Sequence, residues 1–291
     1  MKIAVLLTCF NRKEKTIRCL SHLKSALSYS KSSVIADVYL TDDGSTDGTS
    51  EAVRSKFPKV HILPGTGNLF WVNGMNNSWN HAIEQDQNYD GYLLLNDDTF
   101  LFEEFFETLL NNNQQYIDQY GHPGVYVGTT IDPTTREITY GGSRLTNKLM
   151  YTFKRVFPND LIQPCDLGNA NIMYVSEHTQ KIAGVLSEGY LHGIGDYDYT
   201  LKCLKKQITP VIMSGLNGFC KYDHRDMYDG FEKMSFKKRK EYLYNPLGID
   251  FSSRLLYMKR HFPFRAPLFY LIGMFKLYFP LLYKNIFNFR D

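Results

Sequence analysis

The sequence predicts an α/β fold built on a doubly wound, mostly parallel sheet, followed by a helical C-terminal appendage. Three observations carry that prediction. Short apolar runs of strand length alternate with segments of helical spacing over the first hundred or so residues. Two of those runs end abruptly in paired acids, Asp42-Asp43 and Asp97-Asp98, at the place where open sheets present their loops. The run Tyr92-Leu93-Leu94-Leu95 is large, apolar and unbroken, the pattern of a strand buried on both faces.

The elements follow in order. Lys2 and the apolar run to Phe10 have the outline of a weak signal peptide. Asn11, Arg12, Lys13, Glu14 and Lys15 follow at once without a small-residue cleavage site, so a buried strand over Ile3–Thr8 is expected instead. Ile17, Leu20, Leu23 and Leu27 give residues 14–28 a helical stripe. Residues 34–40 form the second strand, 50–57 a short helix and 60–63 a third strand. A helix over 74–85 leads into the Tyr92 strand, and another is expected over 103–110. Strand and helix in strict alternation mean right-handed crossovers and a parallel sheet. Beyond this point strands are expected at 125–131, 137–140 and, as an edge, 210–213, with Gly141-Gly142-Ser143 as a turn.

Composition sets bounds. The 291 residues allow one large domain, or one domain with an appendage. A net charge of +3 gives no reason to expect a nucleic-acid partner. Cys9, Cys19, Cys165, Cys203 and Cys220 form no CxxC pair and no metal spacing, which suits reduced thiols in a reducing compartment.

Asn96-Asp97-Asp98 is the chemical focus. An isolated buried carboxylate is very costly, so an acid pair at the end of a core strand wants a counter-charge. Hard oxygen ligands there suit Mg²⁺ or Mn²⁺, which bind through one or two carboxylates plus substrate phosphates. The plainer alternative is a polar strand end that begins a turn and caps the next helix.

Four motifs in order now resemble family 2 glycosyltransferases of the GT-A fold. Val5-Leu6-Leu7-Thr8-Cys9-Phe10-Asn11-Arg12 looks like the family's opening strand, and Asp42-Asp43-Gly44-Ser45-Thr46-Asp47 resembles its nucleotide-binding turn. Gly67-Asn68-Leu69-Phe70-Trp71-Val72-Asn73-Gly74-Met75-Asn76-Asn77 is similar to a segment of the rhamnosyl- and galactofuranosyltransferase-like branch. Asn96-Asp97-Asp98 resembles the metal motif called DXD. The resemblance spans about residues 1–225. It implies a catalytic domain over 1–250, with a nucleotide-binding half to about 110 and an acceptor half after it.

The resemblance also implies roles. Thr8 would lie beside a pyrimidine base and Asp43 would accept the hydrogen bond of its imide N–H, with Asn11, Asn68 and Asn76 lining the nucleotide site. Asp97 would contact the ribose and Asp98 would hold Mn²⁺ or Mg²⁺ on the diphosphate. Asp42 reads as the cap of its own turn. Cys165 to Val175 resembles the stretch before the catalytic helix, where Asn169 and Asn171 either reach donor hydroxyls or belong to a polar loop. Gly195-Asp196-Tyr197-Asp198 is similar to the family's Glu-Asp-x-Asp, with Gly195 in place of Glu and Lys202 in place of a later Arg. Asp196 would then be the general base, Asp198 its support, and His192 either lines the acceptor pocket or is structural. His224 is a candidate to complete the metal shell, or a surface histidine.

From about Phe251 the composition shifts to aromatic and apolar residues interspersed with cations, including Arg265, Lys276 and Lys284. The run 268–282 contains Lys276 and Pro280 and is short for a spanning helix. It suits an interfacial helix on anionic lipid, or a helix pair packed on the catalytic domain or on a second copy in a homodimer.

The expectation is an inverting, metal-dependent glycosyltransferase on the cytoplasmic face of a bacterial membrane. It would take a UDP- or dTDP-sugar and a glycan or polyprenyl-linked acceptor in surface polysaccharide synthesis. A sugar nucleotidyltransferase would need a glycine-rich loop after the first strand, and Phe10-Asn11-Arg12-Lys13 has none. A catalytically silent sugar-binding partner subunit is kept open by Gly195.

Overall fold

The computed structural model describes residues 1–30, 34–85, 87–222 and 227–287. The first half runs β1 (Lys2–Cys9), α1 (Lys13–Tyr29), β2 (Ile35–Asp42), α2 (Thr49–Lys56), β3 (His61–Pro64), α3 (Phe70–Glu84), β4 (Gly91–Leu95), β5 (Phe100–Leu101) and α4 (Phe105–Tyr120). The second half has shorter strands: β6 (Val125–Val127), β7 (Thr130–Ile131), β8 (Gly142–Asn147), β9 (Thr152–Arg155), β10 (Gln163–Pro164), β11 (Leu167–Gly168) and β12 (Ile172–Ser176). Then come α5 (Glu177–Ala183), α6 (Gly195–Lys205), β13 (Val211–Ile212) and β14 (Gly218–Phe219). The C-terminal helices are α7 (Phe236–Tyr244), α8 (Phe251–His261), α9 (Ala266–Tyr278) and α10 (Pro280–Phe287).

Among the described residues the main sheet has eight strands in the order β10-β13-β6-β12-β4-β1-β2-β3. The half made of β4-β1-β2-β3 is wholly parallel, and β12 enters antiparallel between β4 and β6. Period-two alternation decides which layer each side chain joins. Ile3, Val5 and Leu7 of β1, with Leu93 and Leu95 of β4, pack beneath α1 and α4 against Leu20, Leu23, Phe105 and Leu109. Ala4, Leu6, Tyr92 and Leu94 face the other way, against Val72, Met75 and Trp79 of α3 and Tyr199 of α6. Both layers therefore close on the same two strands, and the loops that leave their carboxyl ends have a fixed base.

Helix α3 lies unusually close to that base. A Cβ placed on Gly74 would sit 2.2 Å from the Thr8 hydroxyl oxygen, so only a residue without a side chain lets the helix pack there.

Several elements differ from expectation. Helix α3 begins four residues early, at Phe70, and α4 runs on to Tyr120 through a polar stretch. Gly142 opens β8 instead of sitting in a turn, and the expected strand at 137–140 reduces to one bridge between Ile131 and Ile138. Strand β13 is second from the edge, because Gln163 and Pro164 pair outside it. Proline lacks an N–H to donate, which suits the edge position.

The C-terminal segment is helical as expected. Tyr257, Met258, Phe262 and Ala266 join the core layer that contains α3 and α6, while Phe231, Leu243, Ile249, Phe251 and Leu277 form a separate small cluster. No single helix among the described residues is long and apolar enough to cross a membrane. Residues Ala266–Tyr278 and Pro280–Ile286 pass that test only together, and the chain bends by 115° between them. Their outer surface is apolar, with Leu271 62% and Leu281 64% exposed, and Phe264, just before α9, is 90% exposed.

Candidate active site

The Asp97-Asp98 pair sits at the carboxyl end of β4, as expected, and its counter-charge is internal. Arg12, just after β1, lays its guanidinium across both acids, with Nη1 2.9 Å from Asp97 Oδ1 and Nη2 2.5 Å from Asp98 Oδ2. The planar fork of arginine suits this two-carboxylate geometry. Lys15 adds a second cation 3.7 Å from Asp98, and the Thr16 hydroxyl donates to Asp97 at 3.2 Å. Burial pushes the Asp97 carboxyl up to about 7; the Arg12 charge opposes that rise and the Asp98 charge adds to it. Asp98 is more open, and the Cys220 thiol lies 3.9 Å from its Oδ1.

The donor set fits a divalent ion. Two acids at a core strand end already gather a cation, and one of them is accessible to substrate phosphates. Among the described residues no group of three His, Cys, Asp or Glu side chains converges. His224, the residue expected to contribute, lies outside the described residues.

The second acidic turn is a structural hub. Asp42 accepts from the Ser45 N–H at 2.8 Å and from the Ser50 hydroxyl, capping the turn. Asp43 is 5% exposed, and its two oxygens accept from Gly67 N at 2.7 Å, Leu69 N at 2.9 Å and Phe70 N at 3.1 Å. A carboxylate offers about four lone-pair sites, so three donors leave room for one more. Asn11 has a left-handed backbone at φ 51°. It ties the first turn to the second by accepting from Thr46 N at 2.7 Å, while its own N–H donates to the Ser45 hydroxyl. Thr8 lies under Gly74, and Asn68 is exposed on the same loop system. Asn76 faces away from the turn, donating from Nδ2 to the Leu186 carbonyl at 3.0 Å.

Trp71 joins the two acidic segments. Its indole N–H donates to Asn96 Oδ1 at 2.7 Å, and its ring lies 3.8 Å from where a Cβ on Gly195 would stand. One side chain thus spans from the neighbour of Asp97 to the neighbour of Asp196. That same Cβ would meet Val72 Cγ2 at 2.7 Å, so the packing of α3 on α6 selects glycine at 195. The Val72 N–H donates to Leu191 O at 3.0 Å, holding the loop before α6 against α3.

Asp196 stands in the first turn of α6, partly exposed. Its Oδ1 accepts from Tyr197 N at 2.8 Å, and Oδ2 accepts longer bonds from Ala170 N at 3.3 Å and Asn169 Nδ2 at 3.4 Å. Burial raises its pKa above the usual aspartate range, against the pull of those hydrogen bonds. Ile194, just before the helix, has φ 68°, a region that β-branched residues adopt only under strain. Asp198 is a different kind of acid. It is 1% exposed, and its Oδ1 accepts from the Tyr190 hydroxyl and His261 Nε2, each at 2.7 Å. Burial alone would raise it, but bonds from His261, Ser187 and Tyr190 hold it below the ordinary range. Asn169 faces Asp196, whereas the buried Asn171 amide turns to Cys220 Sγ at 3.5 Å. His192 is exposed on the loop before α6.

Arg12, Trp71 and His261 are members of the site that sequence reasoning missed. A short-range signal existed only for Arg12, as the first cation after a strand whose neighbour ends in two acids.

Comparison with known proteins bears on the whole arrangement. The family model described as "Glycosyl transferase family 2" matches residues 4–173. The crystal structure of residues 1–349 of TarS from S. aureus superposes with a TM-score of 0.51 at 16% identity, covering 84% of this chain and 66% of that one. The same protein in complex with UDP gives 0.52 at 16%, covering 80% and 63%. The mannosyltransferase PcManGT from Pyrobaculum calidifontis, in complex with GDP-Man and Mn²⁺, gives 0.54 at 14%, covering 79% and 60%. The chain thus spans less than two thirds of the length of these structures, and at such identities the likeness is one of fold. A comparison with curated proteins finds no match.

Proposed function

This chain belongs to glycosyl transferase family 2, and from that premise we propose that it is an inverting glycosyltransferase moving a sugar from a nucleoside-diphosphate donor to a hydroxyl of a glycan or lipid-linked glycan. The observation that carries this reading is the span of Trp71 between Asn96 and Gly195, which ties the segment bearing the Asp97-Asp98 pair to the helix start bearing Asp196.

In this reading Asp196 accepts the proton of the acceptor hydroxyl as that oxygen attacks the anomeric carbon. Its raised pKa brings the carboxylate closer to the proton it must take, while partial exposure leaves it reachable. Asn169 and the Ala170 N–H orient its outer oxygen. Asp97 is placed to accept from a ribose hydroxyl, and Asp43 keeps one lone-pair site for the imide of a uracil or thymine base. Arg12 and Lys15, already beside Asp98, supply positive charge next to the leaving diphosphate. Mn²⁺ or Mg²⁺ held by Asp98 would stabilise that leaving group.

Two further features support an acceptor carried on a lipid at the cytoplasmic face of a membrane, as in bacterial surface polysaccharide synthesis. The exposed face of α9 and α10 is apolar, and Leu149 and Met150, between β8 and β9, are 68% and 56% exposed beside it. Arg265 Nη1 donates to the Leu149 carbonyl at 3.4 Å, so hairpin and helices form one rim. The cations expected to meet anionic lipid are partly engaged within the chain. Lys276 stacks over Tyr228 and Tyr283, and Lys284 pairs with Glu232. Apolar burial is therefore the main force in this reading. A second copy of the chain is the rival occupant of that face.

The rival activities lose ground on physical detail. Gly195 is explained by its contact with Val72, so the departure from Glu is a packing requirement and no mark of a silent binding subunit. The turn after β1 has no glycine, so it lacks the backbone cradle that the triphosphate of a nucleotidyltransferase needs. The test is thermal shift with UDP-, dTDP- and GDP-sugars in Mn²⁺, followed by slow donor hydrolysis without acceptor. A bound donor raises the melting temperature by mass action. No shift with any nucleotide sugar would overturn the reading.

A further inference from the structure

Asp198 is the meeting point of three segments that are far apart in sequence. It belongs to α6, two residues after Asp196, and its N–H donates to the Ile194 carbonyl at 3.0 Å. Tyr190 comes from the loop that Val72 holds against α3. His261 and Arg260 come from the last turn of α8, in the C-terminal segment; Arg260 Nη1 stands 3.7 Å from the same Oδ1. Arg260 also donates to the Glu188 carbonyl at 2.9 Å and lies over the Tyr190 ring, 5.0 Å from its centroid. The His261 side chain is only 5% exposed, with its ring packed near Tyr257 and Phe262.

So much convergence on one oxygen has a local purpose. The first turn of α6 starts from the strained Ile194 conformation, which persists only when its surroundings over-determine it. Asp196 lies between that strained residue and Asp198. Its Oδ1 is held at 2.8 Å by Tyr197 N of the same turn, while the bonds to Oδ2 from outside the helix are long, at 3.3 and 3.4 Å, so the carboxylate follows the turn that carries it.

We propose that His261 is a positioning residue for the transfer reaction: through Asp198 it fixes the first turn of α6 and so the direction in which Asp196 presents its carboxylate to the acceptor. The inference rests on Asp196 being the base. It makes α8 part of the catalytic apparatus and separates its role from that of α9 and α10, which carry the exposed apolar face.

The experiment compares His261→Ala, His261→Gln, Asp198→Asn, the Asp198→Asn/His261→Ala double variant and Asp196→Asn in the full chain. The readouts are kcat, affinity for the free nucleoside diphosphate by calorimetry, and melting temperature. A displacement of about 1 Å at a reacting group costs on the order of a hundredfold in rate. His261→Ala should therefore lose roughly tenfold to a hundredfold in kcat, with nucleotide affinity within about twofold of the parent. His261→Gln, which keeps a donor for Asp198 and a similar volume, should recover most of that loss. The double variant should be no slower than the slower single, because the two side chains act as one unit. Normal turnover in a folded His261→Ala, or a His261→Gln no faster than His261→Ala, together with an inactive Asp196→Asn would remove the positioning role alone. Near-normal turnover in Asp196→Asn would remove the base assignment and the inference with it. Losses that multiply in the double variant, or that fall on nucleotide affinity, would also overturn it.

Discussion

Replacing Asp196 with Asn separates chemistry from architecture, and the structure sets the size of each. The change keeps the shape of the side chain but removes the site on which a proton can land. An amide has one acceptor oxygen, whereas Asp196 accepts on both. If that oxygen stays with Tyr197 N at 2.8 Å, the new NH₂ faces the Ala170 N–H and the Asn169 amide, now 3.3 and 3.4 Å from Oδ2. An unmet buried donor costs about 1–3 kcal/mol. The ionised carboxylate, however, already carries a desolvation penalty, seen as its raised pKa, and the neutral amide escapes it. The two terms oppose, so folding should shift by about 1 kcal/mol or less, a melting change of about 2–4 °C for a chain of this size. Losing a general base removes about 10²–10⁴ in rate, about 2.7–5.4 kcal/mol of barrier. The assay measures release of nucleoside diphosphate with saturating acceptor, beside donor calorimetry and a thermal melt. A folded variant that keeps more than about a tenth of parental kcat would refute the assignment, since general-base loss is at least about a hundredfold. Asp198 would not replace it as the base, because that acid is buried and held by His261 and Tyr190.

Three other outcomes are expected. Asp98→Ala should leave the fold intact and abolish transfer together with the Mn²⁺-dependent part of donor binding; a variant that keeps near-normal activity in Mn²⁺ would place the metal elsewhere. On the pH axis, Asp196 must be deprotonated to act and its pKa is raised, so kcat should begin to fall with acid above the ordinary aspartate value of about 3.9. Asp97, pushed up to about 7, accepts a ribose hydroxyl more strongly as the carboxylate, so in its proposed role donor KM should rise as pH drops through neutrality. A flat donor KM from pH 8 to 6 contradicts that role. Finally, Leu271→Asp with Leu281→Asp should free the protein from anionic vesicles. Each buried leucine is worth about 1.5–3 kcal/mol, so the pair should cost about a hundredfold or more in partition. Binding that survives this change, or that the parent never shows, points to a second copy on that face.

The nucleotide-side half was legible because its signals are local. Apolar runs over 3–8, 34–40 and 92–95 and the helical stripe after Glu14 need only near neighbours, and each element appears within a residue or two of its expected place. Helix α3 was read four residues late because Gly74 looks like a start, whereas it is an interior residue pressed on Thr8. The second half of α4 is hidden by Asn111-Asn112-Asn113-Gln114-Gln115. Asn112 is nonetheless fully buried, exchanging hydrogen bonds with Ser214. Gly142 reads as a turn but lies in a strand, where a Cβ would stand 2.4 Å from Ile212 and 2.8 Å from Cys165. Strands of two residues, such as β10, β11, β13 and β14, are too short for any periodicity. At the site, residue types and strand ends were readable, but partners were not. Arg12 meets Asp97 across 85 positions and His261 meets Asp198 across 63, and nothing local encodes either pairing.

The grip of Asp43 on the backbone at Gly67, Leu69 and Phe70 has a kinetic consequence. Those residues run straight into Trp71, which holds Asn96, and Val72, which holds Leu191 in the loop before α6. In the proposed role of Asp43, a base settling against it would tighten, within six residues of chain, the segment that meets the loop before α6. Such wiring favours compulsory order, in which donor adds first, acceptor second, and the spent nucleotide leaves last. In steady-state inhibition the free nucleoside diphosphate should then compete with the donor yet remain noncompetitive toward the acceptor.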